Sequence, residues 1–189
     1  ALLGLATIYE KNAQVESAVK YLRRVLEADP ENAEGRFRLA MNLKRQDQMP
    51  EARKLLEGLT ASTDPSWVTP LAYQELARLA SDQEKPAEAE KVLRQALERF
   101  PDDARLTIQL AAALDRKGEG REATVLIAKI LASPSSREAS SARYLYNTVR
   151  PEAFAEARSF LAENSRTRLP VLAQALTSQA DVAITEVGR

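Results

Sequence analysis

The stretch PAEAEKVLRQALERFP, residues 86–101, decides the fold. Within it Ala89, Leu93 and Ala96 fall at helical spacing, and Pro101 closes the run. The same order recurs at Ala18/Leu22/Val25/Pro30, at Ala52/Leu56/Leu59/Pro65 and at Ala123/Ile127/Ile130/Pro134. A Leu-Ala pair precedes each run: Leu5-Ala6, Leu39-Ala40, Leu76-Ala77 and Leu110-Ala111. Both markers advance by 34, 37 and 34 residues. Two independent markers that agree on every step identify a helical repeat array, and an array of this kind predicts a surface that holds another molecule.

Composition suits stacked helices. Hydrophobic residues make up 44% of the 189, charged residues 29% and aromatics only 5%, a mixture too apolar and too balanced in charge for a disordered chain. Lys+Arg and Asp+Glu are both 27, so there is no basic excess to displace counterions from a duplex, and nucleic acid is not the expected partner. Cysteine is absent, which removes disulfides and thiolate metal sites and is compatible with either cytoplasm or periplasm. No apolar run approaches the roughly 20 residues of a membrane span, so no direct membrane insertion is expected. Ala1 to Ile8 lacks the basic start and cleavage signal of a secretory leader and opens inside a helical pattern. That opening reads as a piece of a longer protein, and localisation is left open.

In chain order, helices are expected at 1–12 and 15–28, 33–46 and 49–61, 70–82 and 86–99, and 103–117 and 120–132. They form four units, 1–32, 33–69, 70–103 and 104–137. Asp29-Pro30 ends the first unit, because the residue before proline is driven out of helical geometry, and Asn32 then caps the next helix. Pro70 and Pro86 sit in first turns, where a missing amide costs nothing. Trp67-Val68-Thr69 are the three surplus residues that lengthen the second step. Trp67 either covers the end of a neighbouring helix or contacts a ligand. Gly118 and Gly120 read as turn glycines, since neither GxxxxGK[ST] nor GxGxxG surrounds them. Beyond Pro134 a capping box over Ser135–Glu138 opens a degenerate pair at 136–149 and 151–163. A capping helix at 168–186 then closes residues 138–189.

The 34-residue period, the two helices per unit and the residue order resemble the tetratricopeptide repeat. The first unit reads Leu2, Leu5, Ala6, Tyr9, Ala18, Leu22, Val25, Pro30, and the third Tyr73, Leu76, Ala77, Ala80, Ala89, Leu93, Ala96, Pro101. The resemblance covers about residues 1–137. It implies an all-α fold, a right-handed α-α superhelix of about four repeats, with first helices lining a concave groove where peptides or partner helices bind. By helical geometry the groove positions are Leu3 and Thr7; Phe37, Met41 and Arg45; Gln74, Arg78 and Asp82; and Ile108, Ala112 and Arg116. Glu34 and Arg105 lie at its edge. The expected partner-binding set is therefore Phe37, Met41, Arg45, Gln74, Arg78, Arg105 and Ile108, with apolar anchors towards the second unit and arginines to orient an acidic or polar ligand. The carboxylate clamp of tetratricopeptide co-chaperones is not expected, since neither register of units retains its asparagines.

Catalysis is not expected. Histidine and cysteine are both absent, which removes the commonest general base and the thiol nucleophile. Any zinc site would have to be all carboxylate. Glu88/Glu90 and Asp102/Asp103 read as solvated faces or caps. Lys20, Arg23, Arg24, Lys44 and Arg45 are expected to form helix-face ion pairs with Glu16, Glu27, Asp47 and Glu51. No cofactor is implied. The reading is a non-catalytic interaction scaffold for a protein or peptide. Two alternatives stand beside it: a scaffold segment of a larger bacterial envelope or polysaccharide-export protein, and a regulatory appendage of a catalytic domain elsewhere. An exposed first helix, with Leu2, Leu5 and Tyr9 uncovered, would also allow homo-oligomerisation through the first repeat.

Overall fold

The computed structural model describes residues 1–131. The described residues form helices alone: α1 (Leu2–Lys11), α2 (Val15–Ala28), α3 (Ala33–Arg45), α4 (Met49–Ala61), α5 (Thr69–Asp82), α6 (Pro86–Arg99), α7 (Ala104–Lys117) and α8 (Gly120–Leu131). The eight helices expected over these residues are all present, with ends displaced by one residue at most. The capping box at Ser135, the degenerate pair and the helix at 168–186 lie outside the described residues. None of the described helices is long and apolar enough to cross a membrane.

Two compact units divide the chain, one from Ala1 to Leu79 and one from Ala80 onward. In the first, α1 packs on α2, α2 on α3 and α3 on α4; in the second, α6 packs on α7 and α7 on α8. The recurring alanines and leucines form the interior of both. Ala18, Leu22 and Val25 are buried in α2, Ala52, Leu56 and Leu59 in α4, and Ala89, Leu93 and Ala96 in α6. Alanine at the first of these positions lets two helices approach closely while leucine fills the space one turn on. In α8, Ala123 and Ile127 are buried at the same places.

Local chemistry sets the helix ends. Asn32 caps α3 by accepting from the Gly35 amide at 2.8 Å, and Asp103 caps α7 by accepting from Arg105 and Leu106 at 2.9 and 3.1 Å. The turn inside every pair is the same turn. Ala13, Asp47, Glu84 and Gly118 adopt φ of 56°, 60°, 57° and 91°. The next amide, of Gln14, Gln48, Lys85 and Glu119, returns to the carbonyl of Tyr9, Leu43, Ala80 and Leu114 at 2.8–2.9 Å. That closure satisfies a carbonyl otherwise left over at the helix end and requires a left-handed residue just before it. Three of the four units meet the requirement without glycine. Gly118 is the left-handed residue of the last turn, whereas Gly120 already opens α8.

Of the two readings of Trp67, the structure speaks against the cover over a helix end. Trp67 is 69% exposed, while its neighbours Val68 and Thr69 are buried and take the interior space of the inserted segment. Thr69 Oγ1 accepts from the Ser66 amide at 3.0 Å, which starts α5 one residue ahead of Pro70. Between α1 and α2, Tyr9 and Tyr21 stack with ring centroids 5.1 Å apart.

Candidate functional site

Five of the seven expected binding residues fall in the first unit. Phe37 and Met41, one turn apart on α3, are half-buried, and Arg45 at the end of α3 is exposed. On α5, Gln74 is half-buried and Arg78 exposed. The other two belong to α7, where Arg105 is exposed. Ile108 corrects the expectation of an open position, because at 8% exposure it is part of the interior.

The charges flanking Phe37 and Met41 are already engaged. Arg38 donates to Glu10 at 2.6 Å, to Thr7 Oγ1 at 2.7 Å and to Glu34 at 3.1 Å. Asn42, itself buried, donates to the second Glu10 oxygen at 2.6 Å and to the Arg38 carbonyl. One turn further on, Lys44 donates to Glu75 at 2.6 Å and Arg78 donates to the same carboxylate at 3.0 Å. Burial pulls the Arg38 guanidinium down, but the bonds and charge of Glu10, then those of Glu34, outweigh it and leave Arg38 above its ordinary value. Burial likewise pushes the Glu75 carboxyl up, and the hydrogen bonds of Lys44 and Arg78 overcome it and hold Glu75 below the usual carboxylate range. Arg78 therefore brings a neutralised guanidinium to the face where a cation for an acidic ligand was expected. Phe37 and Met41 sit beside charges that are satisfied from within.

Two of the basic residues pair across helices where pairs along one helix face were expected. Arg23 pairs with Glu51 at 2.9 Å, across from α2 to α4, and Lys44 with Glu75, from α3 to α5. Neither pair lies on a single helix face. The residues between them account for the difference: partners 28 or 31 positions apart meet because successive helix pairs stack, which a within-helix rule does not register. In the second unit Arg94 pairs with Glu122 at 2.8 Å, also 28 positions apart. There Lys117 and Arg94 both donate to Glu90 and hold it below the usual carboxylate range. Among residues with described surroundings, no three His, Cys, Asp or Glu side chains converge as metal ligands would.

Comparison with known proteins agrees with this geometry. A family model described as tetratricopeptide repeat matches residues 11–67 and 80–145. Cellulose synthase 1 operon protein C of Komagataeibacter xylinus is 31% identical over 149 residues, which is 77% of this chain and 11% of that protein's length. Solved structures supply the fold. A MamA protein structure superposes with a TM-score of 0.58 at 22% identity, covering 76% of this chain and 74% of its own. A thermophilic tetratricopeptide protein of Thermus thermophilus gives 0.56 at 25% identity, covering 93% and 97%. YrrB, described as a tetratricopeptide protein with an unusual peptide-binding site, gives 0.55 at 19% identity, covering 95% and 86%. The 34-residue markers, the shared left-handed turn and the family match over most of the sequence thus have one explanation: the chain belongs to the tetratricopeptide repeat family.

Proposed function

We propose that the chain is a non-catalytic interaction scaffold whose α3 face holds a partner peptide or helix through Phe37 and Met41. Tetratricopeptide proteins bind protein or peptide partners. The observation that carries the reading is the pair of large apolar side chains one turn apart, half-buried, beside ion pairs that need nothing from outside. Apolar anchors of this size supply most of the affinity of a small interface. Arg45, exposed at the end of α3, orients the partner, and Gln74 and Arg78 contribute polar edges. Because Glu75 neutralises Arg78, a partner with two apolar anchors fits this face better than a strongly acidic one.

The test is affinity capture with the full chain, followed by the same capture with Phe37→Ala and Met41→Ala combined. Retained proteins should be lost while the melting temperature falls by no more than about 4 °C, the shift that about 1 kcal/mol causes in a chain of this size. Equal loss of folding and capture would make the two residues core and defeat the reading.

The K. xylinus relative favours a second level of this proposal. This chain spans a small part of that protein, so it serves as one scaffold segment of a larger bacterial protein acting with polysaccharide-synthesis machinery. Native sequence on either side decides it: further tetratricopeptide units support it, and a catalytic domain would replace it with the regulatory-appendage reading. The face of α1 favours association end to end. Leu5 and Ile8 are 38% and 55% exposed, while their equivalents Leu39 and Asn42 in α3 are buried. The preceding pair supplies part of that cover in α3, since Asn42 bonds to Glu10 of α1. A second copy stacked on α1 would supply the like. Sedimentation that shows only monomer at high concentration would remove this association.

A further inference from the structure

Four of the ion pairs that link successive helix pairs fall in two rows, apart from Lys117 of α7 with Glu90 of α6, and the rows differ in a way that packing alone does not require. The outer row joins second helices. Arg23 of α2 meets Glu51 of α4, and Arg94 of α6 meets Glu122 of α8. Both are separated by 28 residues, both run from arginine to glutamate, and both are about half exposed. The inner row joins first helices. Glu10 of α1 meets Arg38 of α3 across 28 residues, and Lys44 of α3 meets Glu75 of α5 across 31, the difference being the inserted residues 67–69. The two inner pairs are therefore structural equivalents with their signs exchanged. Their side chains are only 16–21% exposed.

We infer that the inner row is a neighbour code for the first three helix pairs, which makes them accept one another in chain order and reject the wrong order. The outer row carries the same sign order at both junctions where it occurs, so it cannot tell those two junctions apart, and its exposure makes it weak. The inner row can. If α5 were to stack directly on α1, Glu10 would face Glu75. If the α3–α4 pair of one molecule stacked on the α3–α4 pair of another, Lys44 would face Arg38. Each wrong arrangement sets like charges together where solvent screens them least. Units with near-identical apolar faces need such a device, because the leucines and alanines that bury each pair would serve a wrong neighbour equally well. Misassembly between like units is the characteristic failure of repeat proteins. Asn42 reinforces the first rung by fixing Glu10, and Arg78 reinforces the second by sharing Glu75.

The test exchanges signs one rung at a time in the full chain and compares refolding from urea at high protein concentration by size exclusion with light scattering. Glu10→Lys with Arg38→Glu reverses the first rung, and Lys44→Glu with Glu75→Lys reverses the second. Glu34→Gln and Arg78→Gln are carried in every variant and in the reference, since both side chains touch a rung. Reversal of either rung alone gives both rungs the same sign order, which permits both wrong arrangements. The expected result is a several-fold rise in soluble oligomer relative to the reference. All four reversals together restore alternation and should restore monomer. The readout is the difference between one-rung and two-rung reversal. If all the variants refold as monomer, or all lose folding alike, the pairs are stabilisers only and the code is overturned.

Discussion

Glycine at the turn of a helix pair should stabilise this chain wherever the turn now lacks it. Ala13, Asp47 and Glu84 hold φ near +60°, a region that costs an L-residue roughly 1–2 kcal/mol. All three side chains are exposed, so replacement removes no packing. Glycine also gives the unfolded chain more freedom, which takes back about 0.4–1 kcal/mol. The net gain is about 0.5–1 kcal/mol for Ala13→Gly and for Glu84→Gly. It is smaller for Asp47→Gly, because aspartate tolerates the left-handed region better than most residues. The three turns lie in different helix pairs and share no partner, so the triple variant should gain about 2 kcal/mol. Gly118→Ala is the reverse experiment. A Cβ there meets nothing within 4 Å, so only the backbone resists it, and the variant should lose what the others gain. Urea denaturation with the slope held constant reads each change as a shift in midpoint. A destabilised Glu84→Gly, or a neutral Gly118→Ala, would refute the view that these turns are strained equivalents of one another.

Two further predictions concern the interior and the first unit's inner row. Leu56→Ala, at a site 1% exposed, should cost about 2–5 kcal/mol, and hydrogen exchange should show the loss concentrated in α3 and α4, as nearest-neighbour stacking requires. Glu75→Gln should lower stability at neutral pH by on the order of 1 kcal/mol and have less effect in acid. The folded Glu75 pKa lies below its unfolded value, so the unfolded chain takes up the proton first as pH falls. The contribution of Glu75 is thus complete above the ordinary carboxylate range and disappears as pH drops through the lower folded value. Denaturation midpoints of the variant and the wild type should converge there.

The fold could be read because every unit needs the same interior. Ala18, Ala52, Ala89 and Ala123 recur wherever two helices approach closely, and the leucine or isoleucine four residues on recurs wherever the gap between them must be filled. Positions that solve one problem four times leave a period. Helix ends were legible for the same reason, through Asn32, Pro86 and the Asp29-Pro30 step. The turn residues were half legible. Gly118 showed as a glycine, but Ala13, Asp47 and Glu84 occupy the same conformation with side chains that give no sign of it. The reading of Trp67 as cover for a helix end failed because size argues for burial, while in the inserted segment the smaller Val68 and Thr69 fit the interior and the indole is left outside.

The proposed binding face was harder to read because it lacks repetition. Partners are recognised by differences between units, and differences leave no period. Reading charges along single helices put Arg23 and Lys44 with local carboxylates, when stacking sends them to Glu51 and Glu75 in the next pair. A signal was available: opposite charges at a constant offset of 28 residues, lengthened by the insertion where the repeat is lengthened. The same offset explains why Arg78 does not offer a cation to a ligand, since Glu75 stands three residues before it and is drawn inward by Lys44. Once those charges are assigned to the array itself, the half-buried Phe37 and Met41 are the residues on α3 that we propose as partner anchors. Selection for a partner acts on residues of that kind, because they can change without disturbing how one helix pair sits on the next.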